Sequence, residues 1–97
     1  MAVLSDDEID SALAGLPGWR REGSAITKDY RFDGGFASSI DFVDRLAAAA
    51  EAANHHPDLA IRWDTVTVEL STHSQGGVTE RDLALAAEAD GLAAGGA

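Results

Sequence analysis

The sequence contains no cysteine and little positive charge, and each of these features argues against certain kinds of site or partner. Without cysteine it can form neither a disulfide nor a zinc site with thiolate ligands. Its 17 Asp and Glu residues outnumber 7 Lys and Arg residues, for a formal net charge of −10. Because phosphate neutralisation dominates nucleic-acid affinity, a chain this acidic is a poor binder of DNA or RNA. A neutral small molecule carries no such penalty.

Long apolar runs are missing as well. No stretch approaches the ~20 apolar residues that a membrane span needs, so we expect no membrane partner. Residues 1–8 lack the basic and then apolar pattern of a signal peptide, and we expect a cytoplasmic protein. With 97 residues, the chain has room for one hydrophobic core, which predicts a single domain over residues 1–97.

What the sequence does contain is a regular succession of helix and strand patterns. Ser5 and Glu8 have the spacing of a capping box and predict a first helix, which Gly and Pro residues end at 15–18. Strand patterns follow at 19–21 and 25–32. A helical stripe of apolar residues then runs from Phe36 to about Asn54, and Pro57 forces its end. A last helix opens near Thr79, and we expect it to fray from Gly91 onward.

Residues 58–72 alternate twice between apolar and polar and predict a β-hairpin. Folding the segment about Asp64-Thr65 places Trp63 opposite Val66 and Ile61 opposite Val68. One face of this hairpin is then wholly apolar, as register arguments require. The resulting order, helix–strand–strand–helix–strand–strand–helix, predicts an α+β domain with helices on one face of an antiparallel sheet.

The predicted hairpin brings three histidines together. Extended past Pro57, its register places His56 opposite His73, and His55 is the next residue along. An imidazole exchanges protons near neutrality, so such a cluster allows one ring to act as base while another acts as acid. Three imidazoles would also suffice for catalytic zinc. Adjacent side chains such as His55 and His56 diverge, however, and we therefore expect no metal.

Two carboxylates have spacings that link them to these histidines. Glu51 lies four residues before His55 and would share a helix face with it, either as a helix-stabilising pair or as a group that orients the imidazole. Asp82 lies three residues after Thr79, which is the spacing of a helix cap. It could also reach a site near His73 across Gly76-Gly77.

These motifs together resemble a known family. The motifs are Glu-Ala-Ala-Asn-His-His-Pro at 51–57, Trp63, Leu-Ser-Thr-His at 70–73 and Gly-Val-Thr-Glu-Arg-Asp-Leu at 77–83. In composition and spacing they are similar to the signature of pterin-4a-carbinolamine dehydratases, over roughly residues 40–90. The resemblance implies a four-stranded antiparallel sheet with helices on one side and a homodimer or homotetramer.

The resemblance also implies a reaction and a set of residues. A 4a-hydroxytetrahydropterin such as 4a-hydroxytetrahydrobiopterin would lose water and become the quinonoid dihydropterin, in tetrahydropterin recycling, without metal or organic cofactor. We expect His55 and His73 to be the acid and base, with either assignment open. His56 would hold the pterin, Glu51 would orient His55, and Asp82 would support the His73 side. The residues expected to bind substrate are His55, His56, Pro57, Thr72, His73, Ser74 and Gln75.

Two other functions remain open from the sequence. One is a dehydratase-like binding module without catalysis, acting as a coactivator or an assembly factor. The complete histidine set argues against it, because binding alone would not require three imidazoles. The other is a zinc hydrolase, which the divergence of His55 and His56 disfavours.

Overall fold

The computed structural model describes residues 2–95 and has the predicted order of elements. The elements are α1 (Asp6–Leu13), β1 (Arg20–Glu22), β2 (Ala25–Arg31), α2 (Phe36–Ala53), β3 (Asp58–Arg62), β4 (Thr65–Leu70) and α3 (Glu80–Gly95). A short 3₁₀ turn, His73–Gln75, lies between β4 and α3. The α+β class and the four-stranded antiparallel sheet are confirmed. Within residues 2–95, no helix is long and apolar enough to cross a membrane.

The sheet has the strand order β1-β2-β4-β3, so β2 and β4 are its central strands. Every neighbouring pair is antiparallel, and the two hairpins join where Ile26 of β2 lies opposite Leu70 of β4. Their apolar side chains pack against the helices. The largest fully buried apolar side chains are Phe42, Ile26, Leu46, Leu70, Val66 and Val68.

The register predicted for the second hairpin is wrong by two residues. Leu59 lies opposite Val68 and Ile61 opposite Val66, with a two-residue turn at Trp63-Asp64. Contacts from β2 hold this turn. The carbonyl of Asp64 accepts the N–H of Phe32 at 2.8 Å, and its carboxylate lies 3.2 Å from Nε of Arg31. Because the shift is even, every side chain keeps the face predicted for it.

The apolar face of that hairpin is buried on only one of its strands. Val66 and Val68 of β4 are 0% exposed, whereas Leu59 and Ile61 of β3 are 37% and 39% exposed and Trp63 is 71% exposed. Strand β3 is the edge of the sheet, and α2 packs on β4. The prediction of an apolar face is therefore correct, but no residue in the described range 2–95 covers its outer half.

Two details of the helices also differ from the predictions. In α2, Phe36, where the predicted apolar stripe begins, is exposed, and Phe42 is fully buried. Phe36 is the first residue of α2 and follows the N-cap residue Gly35, whose φ is 78°. Helix α3 continues through Gly91 to Gly95, and the end of the predicted frayed segment, 96–97, lies outside the described residues.

Candidate active site

The end of α2 directs two adjacent imidazoles to different environments. The helix ends at Ala53, and Asn54 adopts a left-handed conformation with φ 50°, a common way for a helix to stop. The N–H of His55 then donates to the carbonyl of Ala50 at 3.0 Å. The side chain of His55 is buried, whereas that of His56 is exposed. The break at Asn54 thus places one ring inside the protein and the next at its surface.

His55 contacts a fully buried carboxylate, that of Asp82 near the start of α3. The Nε2 of His55 lies 2.5 Å from Oδ1 of Asp82. The other oxygen, Oδ2, accepts from the Thr72 hydroxyl at 2.8 Å and from the Thr79 N–H at 2.9 Å. Because a carboxylate acts only as an acceptor in these contacts, Nε2 of His55 is the nitrogen that carries the proton toward Asp82.

Two threonines extend this network. The Thr72 hydroxyl donates its hydrogen to Asp82, so in the 2.8 Å contact between the hydroxyls of Thr72 and Thr79 the donor is Thr79. The bond from the Thr79 N–H to Asp82 is the helix cap that the sequence predicted, and it coexists with the His55 contact. From the sequence, Thr79 was predicted only as the start of a helix. Its hydroxyl was missed because the contact depends on the loop at 72–77 folding back.

The partners expected for both carboxylates need correction. Glu51 contacts Nε2 of His56 rather than His55, because α2 ends before His55 and the helical spacing of four residues no longer applies there. Asp82 contacts His55 rather than the His73 side. The carboxylate nearest to His73 is that of Asp58, with Oδ2 4.0 Å from Nε2.

The three histidines line one shallow cavity of about 260 Å³. Its lining residues are Asn54, His55, His56, Ser71, Thr72, His73, Ser74 and Arg81. Of the other residues singled out from the sequence, Glu51, Pro57, Gln75 and Asp82 do not line it. Arg81 does line it, although it was not among the site residues predicted from the sequence. Among residues 2–95, no group of three or more His, Asp or Glu side chains is arranged to hold a metal ion.

A second carboxylate of α3, Asp90, gathers three donors at the other end of the helix. Its Oδ1 accepts from Nε1 of Trp19 at 3.0 Å, from Nζ of Lys28 at 2.9 Å and from the hydroxyl of Tyr30. Burial alone would raise the pKa of the Asp90 carboxyl, but these hydrogen bonds outweigh it and hold that pKa below its usual value. Burial, aided by Asp90, raises the pKa of Tyr30.

Fold and cavity together define a small α+β domain with a histidine-lined site, one of whose rings is held by a buried carboxylate. The family model for pterin 4 alpha carbinolamine dehydratase matches residues 2–92, and the chain belongs to that family. The resemblance found in the sequence is confirmed by this match.

Curated relatives and solved structures agree. A protein of Mycobacteroides abscessus, provisionally named as a pterin-4-alpha-carbinolamine dehydratase, is 57% identical over 90 residues, which are 93% of this chain and 95% of the relative. A transcriptional coactivator/pterin dehydratase from Brucella melitensis superposes with a TM-score of 0.90 at 34% identity, covering 94% of this chain and 98% of the other. A pterin dehydratase-like protein described as a RuBisCO assembly factor in the alpha-carboxysome superposes with a TM-score of 0.64 at 28% identity. The superposition covers 77% of this chain and 86% of the other.

Proposed function

We propose that this chain dehydrates a 4a-hydroxytetrahydropterin, such as 4a-hydroxytetrahydrobiopterin, by histidine acid–base catalysis, and that it acts in tetrahydropterin recycling in the cytoplasm. The observation that carries the proposal is the buried pair of His55 and Asp82 beside a cavity that His56 and His73 also line. Membership of the dehydratase family supplies the class of reaction.

The reaction needs two proton transfers. A base removes the proton from N5 of the pterin, and the electron pair of that bond forms the new double bond between N5 and C4a. The bond from C4a to its hydroxyl breaks, and an acid protonates the departing oxygen, so that water and the quinonoid dihydropterin are the products. Each transfer by a positioned side chain contributes about 100- to 10,000-fold.

The surroundings of the histidines suit these roles. When Nε2 of a neutral His55 donates to Asp82, its Nδ1 carries the lone pair of a base, so Asp82 both holds the ring and selects its tautomer. His73 is largely exposed on the 3₁₀ turn and can exchange protons with water between turnovers. The division of acid and base between His55 and His73 is open in this proposal. His56 would bind the pterin. Glu51 would orient the His56 ring, and not the His55 ring as expected from the sequence. No metal or organic cofactor has a role.

A stopped-flow absorbance assay of carbinolamine dehydration tests the proposal. We expect acceleration that a chelator leaves unchanged and that His73→Ala reduces about 100-fold or more. His73 is exposed, so this variant should unfold at the temperature of the parent. A parent rate equal to the uncatalysed one excludes the enzyme, and activity abolished by the chelator indicates zinc chemistry instead.

A second candidate is a binding module that acts as a coactivator or an assembly factor. What favours it is the two solved relatives, whose descriptions are a transcriptional coactivator/pterin dehydratase and a RuBisCO assembly factor. A chain of this kind would keep its partner binding when His73 is replaced and would leave the dehydration rate at the uncatalysed value. The same assay therefore separates the two candidates.

We also propose that the chain forms a homo-oligomer through the open edge of β3, as a homodimer or as part of a homotetramer. Leu59 and Ile61 present apolar surface there, and the strand reads Asp-Leu-Ala-Ile-Arg. When two copies pair antiparallel about Ala60, Asp58 of each lies opposite Arg62 of the other. The same register sets Leu59 opposite Ile61. An edge strand with complementary charges at its two ends is suited to pairing with itself.

Light scattering of the parent and of an Ile61→Lys variant tests the interface. We expect the parent to have at least twice the mass of the chain and the variant to dissociate, because a lysine would be opposed to Leu59 of the second copy. The control is an Arg20→Lys change in β1, the strand at the opposite edge of the sheet, which should leave the mass unchanged. An unchanged mass for Ile61→Lys excludes this interface.

A further inference from the structure

A single arginine of α3 holds the backbone from which His55 and His56 project. Nη2 of Arg81 donates to the carbonyl of Asn54 at 2.7 Å and to that of Ala53 at 3.1 Å. These are the last carbonyls before the two histidines. Arg81 thus reaches from α3 to the end of α2, a separation of 27 and 28 residues along the chain.

The end of α2 needs such a donor. The last carbonyls of a helix have no partner within it, and they form the negative end of its dipole. The last turn of α2 contains no basic residue. The N–H groups of Asn54 and His55 turn back to the carbonyls of Ala50 and Glu51, which leaves the carbonyls of Ala53 and Asn54 to be satisfied from outside. Arg81 satisfies both with one guanidinium.

Arg81 is also next to Asp82, whose carboxylate holds the His55 ring. Two successive side chains of α3 therefore bind the same loop. Arg81 binds its backbone carbonyls at 53–54, and Asp82 binds the imidazole of His55. Among residues 2–95, Arg81 makes no salt bridge, so its charge is directed to these carbonyls and to the cavity it lines. Loss of the backbone contact would let the loop move while the ring contact remains.

We propose that Arg81 is a positioning residue for the histidine site: it fixes the C-terminal end of α2 and thereby the geometry of His55 and His56. The inference rests on the proposed dehydration for its kinetic consequence, but not for its structural one. A displacement of a catalytic group by about 1 Å can reduce a rate by 100-fold.

The matched control is Arg45, which is likewise half-buried and likewise joins the two helices. Its Nη1 donates to the carbonyl of Leu92 at 2.8 Å, far along α3 from the histidines. Arg45→Gln and Arg81→Gln each remove one arginine that bridges α2 and α3. Only the second change frees the carbonyls that precede His55.

Hydrogen exchange measures the structural consequence without any substrate. In Arg81→Gln we expect the amides of Asn54 and His55 to exchange about tenfold faster than in the parent, since a charge-assisted hydrogen bond is lost. In Arg45→Gln they should exchange at the parent rate. Equal exchange of these amides in the two variants overturns the proposal, and it does so whether or not the chain is a dehydratase.

Kinetics separate positioning from substrate binding. We expect Arg81→Gln to lower kcat about 10- to 100-fold with KM within about threefold, and Arg81→Lys to recover part of the loss. Arg45→Gln should keep the parent kcat. A raised KM with an unchanged kcat would mean that Arg81 binds the substrate directly and would overturn the positioning role. If the parent proves inactive, the proposed function fails while the exchange experiment still decides this inference.

Discussion

Each half of α3 contains a carboxylate that accepts three hydrogen bonds, but the donors are of different kinds. At one end Asp82 accepts hydrogen bonds from His55, Thr72 and Thr79, and at the other Asp90 accepts from Trp19, Lys28 and Tyr30. The Asp90 carboxylate ties the helix to β2, whereas the Asp82 carboxylate ties it to the segments that follow α2 and β4. Among the donors, only that of His55 belongs to a group whose ordinary pKa lies near neutrality.

The difference shows that a buried carboxylate does not by itself mark a catalytic site. The cavity beside Asp90 is the larger, at about 420 Å³ against about 260 Å³, but it contains no histidine. Lysine and tyrosine ordinarily titrate far above pH 7 and tryptophan does not titrate, so the Asp90 cluster suits a structural link. The smaller cavity is the candidate site because of its proton-transfer groups and not because of its size.

The difference between the two carboxylates is tested most directly by replacing each of them with its amide. We expect Asp82→Asn to lower kcat/KM for carbinolamine dehydration about 100-fold, because the amide can no longer hold His55 in the tautomer that keeps Nδ1 free. Asp90→Asn should keep the activity of the parent to within about threefold per folded molecule. Circular dichroism verifies that both variants are folded. Similar losses in the two variants would show that α3 affects activity only through its packing.

An intermediate effect is expected at the Asp90 end, at alkaline pH. The raised pKa of Tyr30 means that the folded state keeps a proton which the unfolded chain releases near pH 10. This contribution is complete below pH 10 and is lost as the pH rises above it. We expect the free energy of unfolding, measured in urea, to fall more steeply from pH 9 to 11 in the parent than in Tyr30→Phe. Parallel curves would mean that Tyr30 ionises equally in both states.

The smallest effect is expected from the exposed pair of Glu51 and His56. Both side chains are largely solvated, and such pairs contribute about 0–1 kcal/mol. Glu51→Gln should therefore change the free energy of unfolding by less than about 0.5 kcal/mol and kcat/KM by less than about tenfold. Comparison with Asp82→Asn isolates the effect of burial, because each change removes one carboxylate from one histidine. A loss as large as that of Asp82→Asn would assign Glu51 a direct part in proton transfer.

Much of the fold could be predicted because the patterns that define it are local. The alternation at Val66, Val68 and Leu70 predicts a strand and the face it buries, and the capping box at Ser5 and Glu8 predicts where α1 begins. The hairpin register was less accessible. A shift of two residues leaves every side chain on the same face, so the pattern cannot distinguish Ile61 opposite Val68 from Ile61 opposite Val66.

The site divides in the same way. The three histidines and the helix that ends before them could be predicted from the sequence, as could their convergence on one cavity, although the predicted pairing of His56 with His73 relied on the register that is wrong by two residues. Three contacts could be seen only in the folded chain: Asp82 with His55, Glu51 with His56, and Arg81 with the carbonyls that precede His55. Sequence periodicity indicates which face of a helix or strand is buried. Which side chains then come into contact depends on the left-handed conformation of Asn54 and on the loop at 72–77, which folds back on itself.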